Sequence, residues 1–193
     1  NKITDASFRL VLTGGPTEDG MSFNKPSFFI LVEDLYNYPP AVFKVGGKLI
    51  TYEHQRQFPE AKTTNYLTAI KLQAEKKKAG AIEILYLSKG KVLETATSNI
   101  FLVKGETLVT PKENILLGTT RAAVIKLAKK LGFSVEERDV FVGELTEASE
   151  VFITATNKKI TPIVKIDDKK IGNGKVGPKT RQLIAVFEDY ILK

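Results

Sequence analysis

Residues 7–13 alternate polar and apolar positions, with Phe8, Leu10 and Leu12 on one side, and Gly14, Gly15 and Pro16 follow at once. That two-residue period predicts a strand closed by a turn. The run SFFILVED after Pro26 is almost continuously apolar, the signature of a strand covered on both faces. Beyond Pro39–Pro40, AVFKV and KLITYE flank Gly46–Gly47 and predict a hairpin. Residues 64–78 change to helical spacing, with Leu67, Ile70 and Ala74 forming the apolar stripe and Gly80 the stop. AIEILYLS, a segment beginning near Val92, NIFLV and TLVTP then predict four strands separated by short turns. A second helix is predicted over 119–132, its stripe made of Ala123, Val124, Leu127, Ala128 and Leu131. FSVEERDV reads as a strand, GELTEA as a turn of helix and SEVFITAT as a strand; a last helix follows IGNGKVGPKT. The sum is an α/β chain with a mixed or antiparallel sheet.

With 193 residues, of which 42% are hydrophobic, the chain can bury a full core and reads as one domain over 1–193. The absence of cysteine excludes disulfides and thiolate metal sites, and no metal-ligand cluster stands out. A net charge of +7 raises nucleic-acid binding. However, the lysines are scattered, and the one dense run, Lys76 to Lys78, falls where a helix C-terminus favours cations, so no nucleic-acid partner is expected. No apolar run reaches membrane length and no signal peptide is visible, which leads us to expect a cytoplasmic protein. Gly172, Gly174 and Gly177 spell G-x-G-x-x-G, but no βαβ unit and no acidic residue about 20 positions on can follow them, so a dinucleotide site is not expected. Asn1 is not a methionine and an apolar pattern begins almost immediately. A fragment is therefore expected, with residues 1–25 partly close to a linker.

The chemistry concentrates between Leu93 and Arg121. Glu94 precedes a small polar run (Thr95, Ala96, Thr97, Ser98, Asn99), and Gly118, Thr119 and Thr120 open the 119–132 helix. Free N–H groups at a helix N-terminus attract phosphate. Upstream, Lys62 stands in AKTTNYL before another helical pattern. A lysine, a carboxylate and a phosphate cradle suit pyridoxal phosphate, whose aldehyde condenses with a lysine amine and whose ring nitrogen needs an acidic partner. Each residue also has an ordinary reading: a solvated lysine, a turn-flanking glutamate, loop threonines.

KTTNYL, ETATSNIFLV, TLVTP, LLGTTR, EASEVFITAT, ITPI and IGNGKVGPKT, in this order, resemble the fold-type IV pyridoxal-phosphate enzymes, the class IV aminotransferases. That family includes branched-chain and D-amino-acid aminotransferases and aminodeoxychorismate lyase. The resemblance implies a large domain built on a twisted, barrel-like mixed sheet flanked by helices, the C-terminal cofactor-binding domain, with a smaller N-terminal domain absent. It implies Lys62 as the catalytic lysine, Glu94 beside the ring nitrogen, and Leu116 against the ring. Thr97, Ser98, Thr119, Thr120 and Thr156 would lie at the phosphate or its surroundings, and Arg56 would contact the cofactor or substrate. Tyr66 comes one residue closer to the lysine than in branched-chain enzymes, so either a cofactor contact or core packing is open to it. His54, the only histidine, is expected to be an ordinary loop residue. The implied activity is ping-pong transamination between an amino acid and a 2-oxo acid by a homodimer. Alternatives are pyruvate elimination by a lyase, or a fragment inactive on its own.

Overall fold

The computed structural model describes residues 5–23, 25–35 and 38–192, and the chain divides into two compact units, 1–37 and 38–193. The first unit is an antiparallel pair of β1 (Ser7–Thr13) and β2 (Ser27–Glu33), in register from Ser7 opposite Glu33 to Thr13 opposite Ser27. The expectation that the SFFILVED strand is covered on both faces fails here, since Phe28, Ile30 and Val32 on one side and Phe29 and Leu31 on the other are all exposed. Among the described residues of this unit, the two strands supply no second layer to cover either face.

The second unit is built on a mixed sheet. Its strands are β3 (Gly47–Glu53), β4 (Glu83–Ser88), β5 (Lys91–Thr95), β6 (Asn99–Lys104), β7 (Thr107–Thr110), β8 (Ser134–Glu137), β9 (Val140–Phe141), β10 (Glu150–Ala155), β11 (Lys159–Ile166) and β12 (Lys169–Lys170). Along the sheet the order is β8-β7-β6-β10-β11-β3-β4-β5-β9, with β12 beside β11. Pairs β11–β3, β3–β4 and β7–β8 are parallel and the others antiparallel. The mixed α/β class and the flanked, curled sheet agree with the expected architecture.

Alternation along the central strands makes two cores. On β6, Ile100 and Leu102 face one way and meet Leu49, Leu85, Val109, Val151 and Ile153 from neighbouring strands, so the sheet curls around its own side chains. Phe101 and Val103 face the other way and pack beneath α4 (Thr119–Lys130) and α6 (Pro178–Ile191). There Phe101 stacks on Phe152 with ring centroids 4.9 Å apart. Each of these fully buried rings contributes up to about 3 kcal/mol by leaving water.

Two local expectations are corrected. The AVFKV segment is not a strand but α1 (Pro40–Val45): Pro40 fits the first helical turn, and Gly46, at φ 81°, ends it by donating its N–H to Val42 O. The predicted 64–78 helix is two short ones, α2 (Leu67–Lys71) and α3 (Gln73–Lys78), joined at Leu72. Its buried face is Ala69 and Leu72, while Leu67 and Ile70 are 73% and 65% exposed. Leu72 packs with Ile50, Ile84, Tyr86, Leu93 and Ile115. The remaining short helix is α5 (Glu144–Glu147), as expected.

Candidate active site

Several chain segments reach one rim of the large unit: the stretch after β3, the β5–β6 turn, the entry to α4, and the end of β10. They enclose a cleft of about 220 Å³. Arg56, Lys62, Glu94, Thr97, Ser98, Leu116, Thr119, Thr120 and Thr156, the nine residues singled out from sequence, all line it, and Tyr66 does as well. Lys62 and Thr156 are exposed on the rim, whereas Glu94, Ser98 and Thr120 are buried. Tyr66 is partly open to solvent and not part of the core.

β5 carries Glu94 into the cleft from the packed sheet. Arg56 Nη1 donates to Glu94 Oε1 at 3.1 Å, and the Leu116 N–H donates to Oε2 at 3.1 Å. The guanidinium is itself aimed by the carbonyls of Pro59, 3.2 Å from Nη1, and Ala61, 2.6 Å from Nη2. Leu116 thus meets the carboxylate through its backbone as well as lining the cleft by its side chain. Burial nevertheless raises the Glu94 pKa; the Leu116 N–H, Arg56 and the more distant Lys62 charge oppose this without cancelling it. This carboxylate therefore gains from any further hydrogen-bond donor or cation brought beside it.

The anion-binding end is made by backbone. Gly118 precedes α4 with no side chain capping the helix, and no described group accepts from the Thr119 or Thr120 N–H. Asn99, the first residue of β6, holds the approach by donating from Nδ2 to Leu116 O at 2.7 Å. A Cβ at position 118 would stand 2.5 Å from Asn99 Oδ1, which explains the glycine by space, its φ of −68° being ordinary. Across the cleft, the Thr154 hydroxyl is buried without a partner among the described residues. An uncapped helix start and an orphaned hydroxyl in one cleft fit an anionic group such as phosphate.

The other glycine-rich helix entry behaves differently. Gly177 precedes α6, but Glu150 fills the helix start, accepting from Lys179 N at 3.1 Å and Thr180 N at 2.7 Å. The G-x-G-x-x-G stretch therefore holds a carboxylate of the chain itself. His54 is half-buried with its ring edge-on to Tyr86, centroids 4.8 Å apart, outside the cleft. Burial, and secondarily the Arg56 charge, lower its pKa.

Four participants escaped the sequence reading. Asn99 and Thr154 lay inside quoted motifs without being assigned to the site. Lys158 and Glu83, a buried ion pair behind the cleft, had no visible signal: one of 29 basic residues and one strand glutamate, 75 positions apart.

The Amino-transferase class IV family pattern matches residues 1–166. A Methanocaldococcus jannaschii protein, named with the branched-chain-amino-acid aminotransferases, is 36% identical over 98% of this chain and 68% of its own length. D-alanine aminotransferase of Listeria innocua is 36% identical over 78% of the chain and 53% of that protein. Among solved structures, Escherichia coli branched-chain amino acid aminotransferase is 30% identical with a TM-score of 0.86, covering 98% of this chain and 66% of the other. The branched-chain enzyme of Thermobaculum terrenum, solved in its PLP-form, is 31% identical with a TM-score of 0.77, over 86% of this chain and 57% of that one. This chain thus spans between about half and two thirds of these relatives. Family pattern, curled sheet and cleft agree: the chain belongs to the class IV aminotransferases.

Proposed function

We propose that this chain is the cofactor-binding part of a pyridoxal-phosphate-dependent aminotransferase that moves an amino group between a branched-chain or D-amino acid and a 2-oxo acid in ping-pong fashion. The observation that carries the reading is the meeting, in one cleft, of Lys62, an ion-paired buried Glu94 and the uncapped start of α4. The branched-chain assignment draws on the names of the Methanocaldococcus, E. coli and Thermobaculum relatives, and the D-amino-acid one on the Listeria relative.

Bound here, pyridoxal phosphate supplies an electron-withdrawing ring that stabilises negative charge at the substrate α-carbon. Lys62 would anchor the aldehyde end and, once released, would carry the proton that leaves the substrate α-carbon. Glu94 would hold a proton on the ring nitrogen, and Arg56 opposes the rise that burial gives that carboxylate's pKa. Ser98, Thr120, Thr119 and Thr156, with the backbone opening α4, would hold the phosphate, and Thr97, whose hydroxyl donates to Glu83, would stand in its surroundings. Leu116, which lines the cleft, would pack against the ring.

Incubation with pyridoxal phosphate, borohydride reduction and peptide mass spectrometry tests this directly. Label concentrated on Lys62 and lost in Lys62→Ala is the expected result, with activity of the full-length protein reduced on the order of 10³-fold. Scattered label, unchanged by the substitution, overturns the reading. Glu94→Gln is expected to cost about 100-fold in turnover, the size of a lost electrostatic contact to the reacting system. It should also lower the melting temperature, because the amide turns an NH₂ toward Arg56 or the Leu116 N–H and leaves the guanidinium without its counter-charge, so turnover is compared below that temperature. Profiling with L- and D-amino acids then fixes the substrate.

A further inference from the structure

Lys158 lies in the turn between β10 and β11, two residues past Thr156, and is 4% exposed. Its backbone is fixed from both sides: its N–H donates to Ala155 O at 3.2 Å, and its carbonyl accepts from Thr161 Oγ1 at 2.7 Å. Its side chain crosses to the β5–β6 turn. There Nζ pairs with Glu83, donates to Thr97 Oγ1, and donates to Ser98 Oγ at 3.2 Å. Thr97 in turn donates its hydroxyl proton to Glu83, and the Tyr38 ring lies 5.6 Å from the ammonium. Glu83 is 5% exposed and takes an additional bond from Ile84 N at 3.2 Å.

The directions of these bonds settle where two hydroxyl protons go. An ammonium only donates, so Ser98 Oγ must accept from Lys158, and its own proton points elsewhere. No described group receives that proton, and Ser98 lines the cleft. The Thr97 proton, by contrast, is already committed to Glu83. The counter-charge of the ammonium is attached to the neighbouring strand β4. Burial lowers the Lys158 pKa, and Glu83 works against that shift, so the carboxylate favours the ammonium form, which only donates.

We propose that the buried Lys158–Glu83 pair is a positioning device: it ties the two cleft-lining turns together and makes Ser98 an obligate hydrogen-bond donor to the phosphate of the bound cofactor. The proposal rests on the pyridoxal-phosphate reading above and adds to it a pair that contacts no ligand itself. Removing one partner alone would leave a buried charge unpaired and confuse stability with function. The informative variant is Glu83→Gln/Lys158→Met, which removes both charges at similar volume.

The experiment compares affinities of the full-length protein for pyridoxal phosphate and for pyridoxal, which lacks the phosphate, by the absorbance change on binding, alongside melting temperatures. The pair variant is expected to melt near the parent and to bind pyridoxal phosphate about tenfold more weakly, with pyridoxal affinity held within about twofold, the loss fitting one hydrogen bond to a charged acceptor. Ser98→Ala should reproduce that selective loss, and the triple variant should lose no more than either, since the two act through one contact. Unchanged affinity for pyridoxal phosphate, equal weakening of both ligands, or losses that multiply would each overturn the proposal. If the pair variant does not fold, Ser98→Ala decides by the same ratio. A parent protein in which borohydride does not label Lys62 would instead bring down the cofactor reading, before any of these variants is made.

Discussion

Helices α4 and α6 enter the large unit alike, each behind a glycine and each packed on the same face of the sheet, yet their first turns are satisfied in opposite ways. At α6, Glu150 reaches in from the start of β10 and takes the N–H groups of Lys179 and Thr180. At α4, the N–H groups of Thr119 and Thr120 open onto the cleft with no protein acceptor among the described residues. A helix start concentrates unsatisfied donors and roughly half a positive charge, so something anionic belongs there. One helix receives its anion from its own chain, and the other has no anionic partner among the described residues. The glycines report the same difference in space. A Cβ on Gly177 would run into the Glu150 carboxyl, whereas one on Gly118 would disturb Asn99, which shapes the open entry.

The most severe way to break this comparison is to empty the filled site. Glu150→Gln keeps the shape, replaces a charged acceptor by an amide, and turns an NH₂ toward one of two buried N–H groups. We expect a stability loss of about 2–4 kcal/mol, read as a lower denaturant midpoint, with labelling of Lys62 retained below the melting temperature. A midpoint that does not move would mean that Glu150 is not the acceptor α6 depends on.

The converse is to fill the open site from outside. Saturating inorganic phosphate should raise the melting temperature of the parent protein, by about 2.7 kcal/mol of stability at a hundredfold excess over its dissociation constant. Gly118→Ala pushes on Asn99 Oδ1 and should reduce phosphate affinity about tenfold, the value of one charged hydrogen bond misplaced. Glu150→Gln should leave the phosphate response intact. Should phosphate stabilise the Gly118→Ala protein as it does the parent, the anion is binding elsewhere.

The contrast between the two helix starts also shows where the sequence is readable. Strands such as NIFLV and SEVFITAT announce themselves because alternate residues must enter cores on the two faces of the sheet, and the 119–132 helix because Val124, Leu127 and Ala128 recur at helical spacing. The cleft-lining set was legible because seven motifs kept one order, so Lys62, Glu94 and Thr120 could be picked out of many similar residues. What was not legible depends on distant partners. Residues 41–45 have strand-like composition, but a proline in the first turn and a glycine at the end make them a helix. Leu67 and Ile70 looked like a buried stripe, but the fold buries Ala69 and Leu72 instead, and Leu72 joins the cluster of Ile50, Ile84 and Tyr86. Glu150 as the α6 cap and Lys158 as the partner of Glu83 are invisible locally, since each pairing spans an entire supersecondary unit. The G-x-G-x-x-G stretch could be rejected from its context, but the carboxylate occupying it could not be foreseen.

The smallest expected effect is the most discriminating for the open site. Thr154 is 2% exposed, its methyl packed at the end of β10, and its hydroxyl is buried without a partner among the described residues. A buried hydroxyl left unpaired costs the ligand-free fold, so Thr154→Val, equal in shape and without the hydroxyl, should stabilise the ligand-free protein by about 1 kcal/mol. That advantage should vanish when pyridoxal phosphate is present. If the hydroxyl exists to meet the anion at α4, the same substitution should shrink the stabilisation that pyridoxal phosphate provides by about 1 kcal/mol, while the smaller stabilisation by pyridoxal stays as it was. Thermal melts of the two proteins with no ligand, with pyridoxal and with pyridoxal phosphate contain the whole test. A valine variant that melts higher under all three conditions would show that Thr154 is a packing residue carrying a dispensable oxygen. A variant that melts higher alone, and gains less than the parent from pyridoxal phosphate, would show that the chain tolerates an unsatisfied group in order to bind an anion.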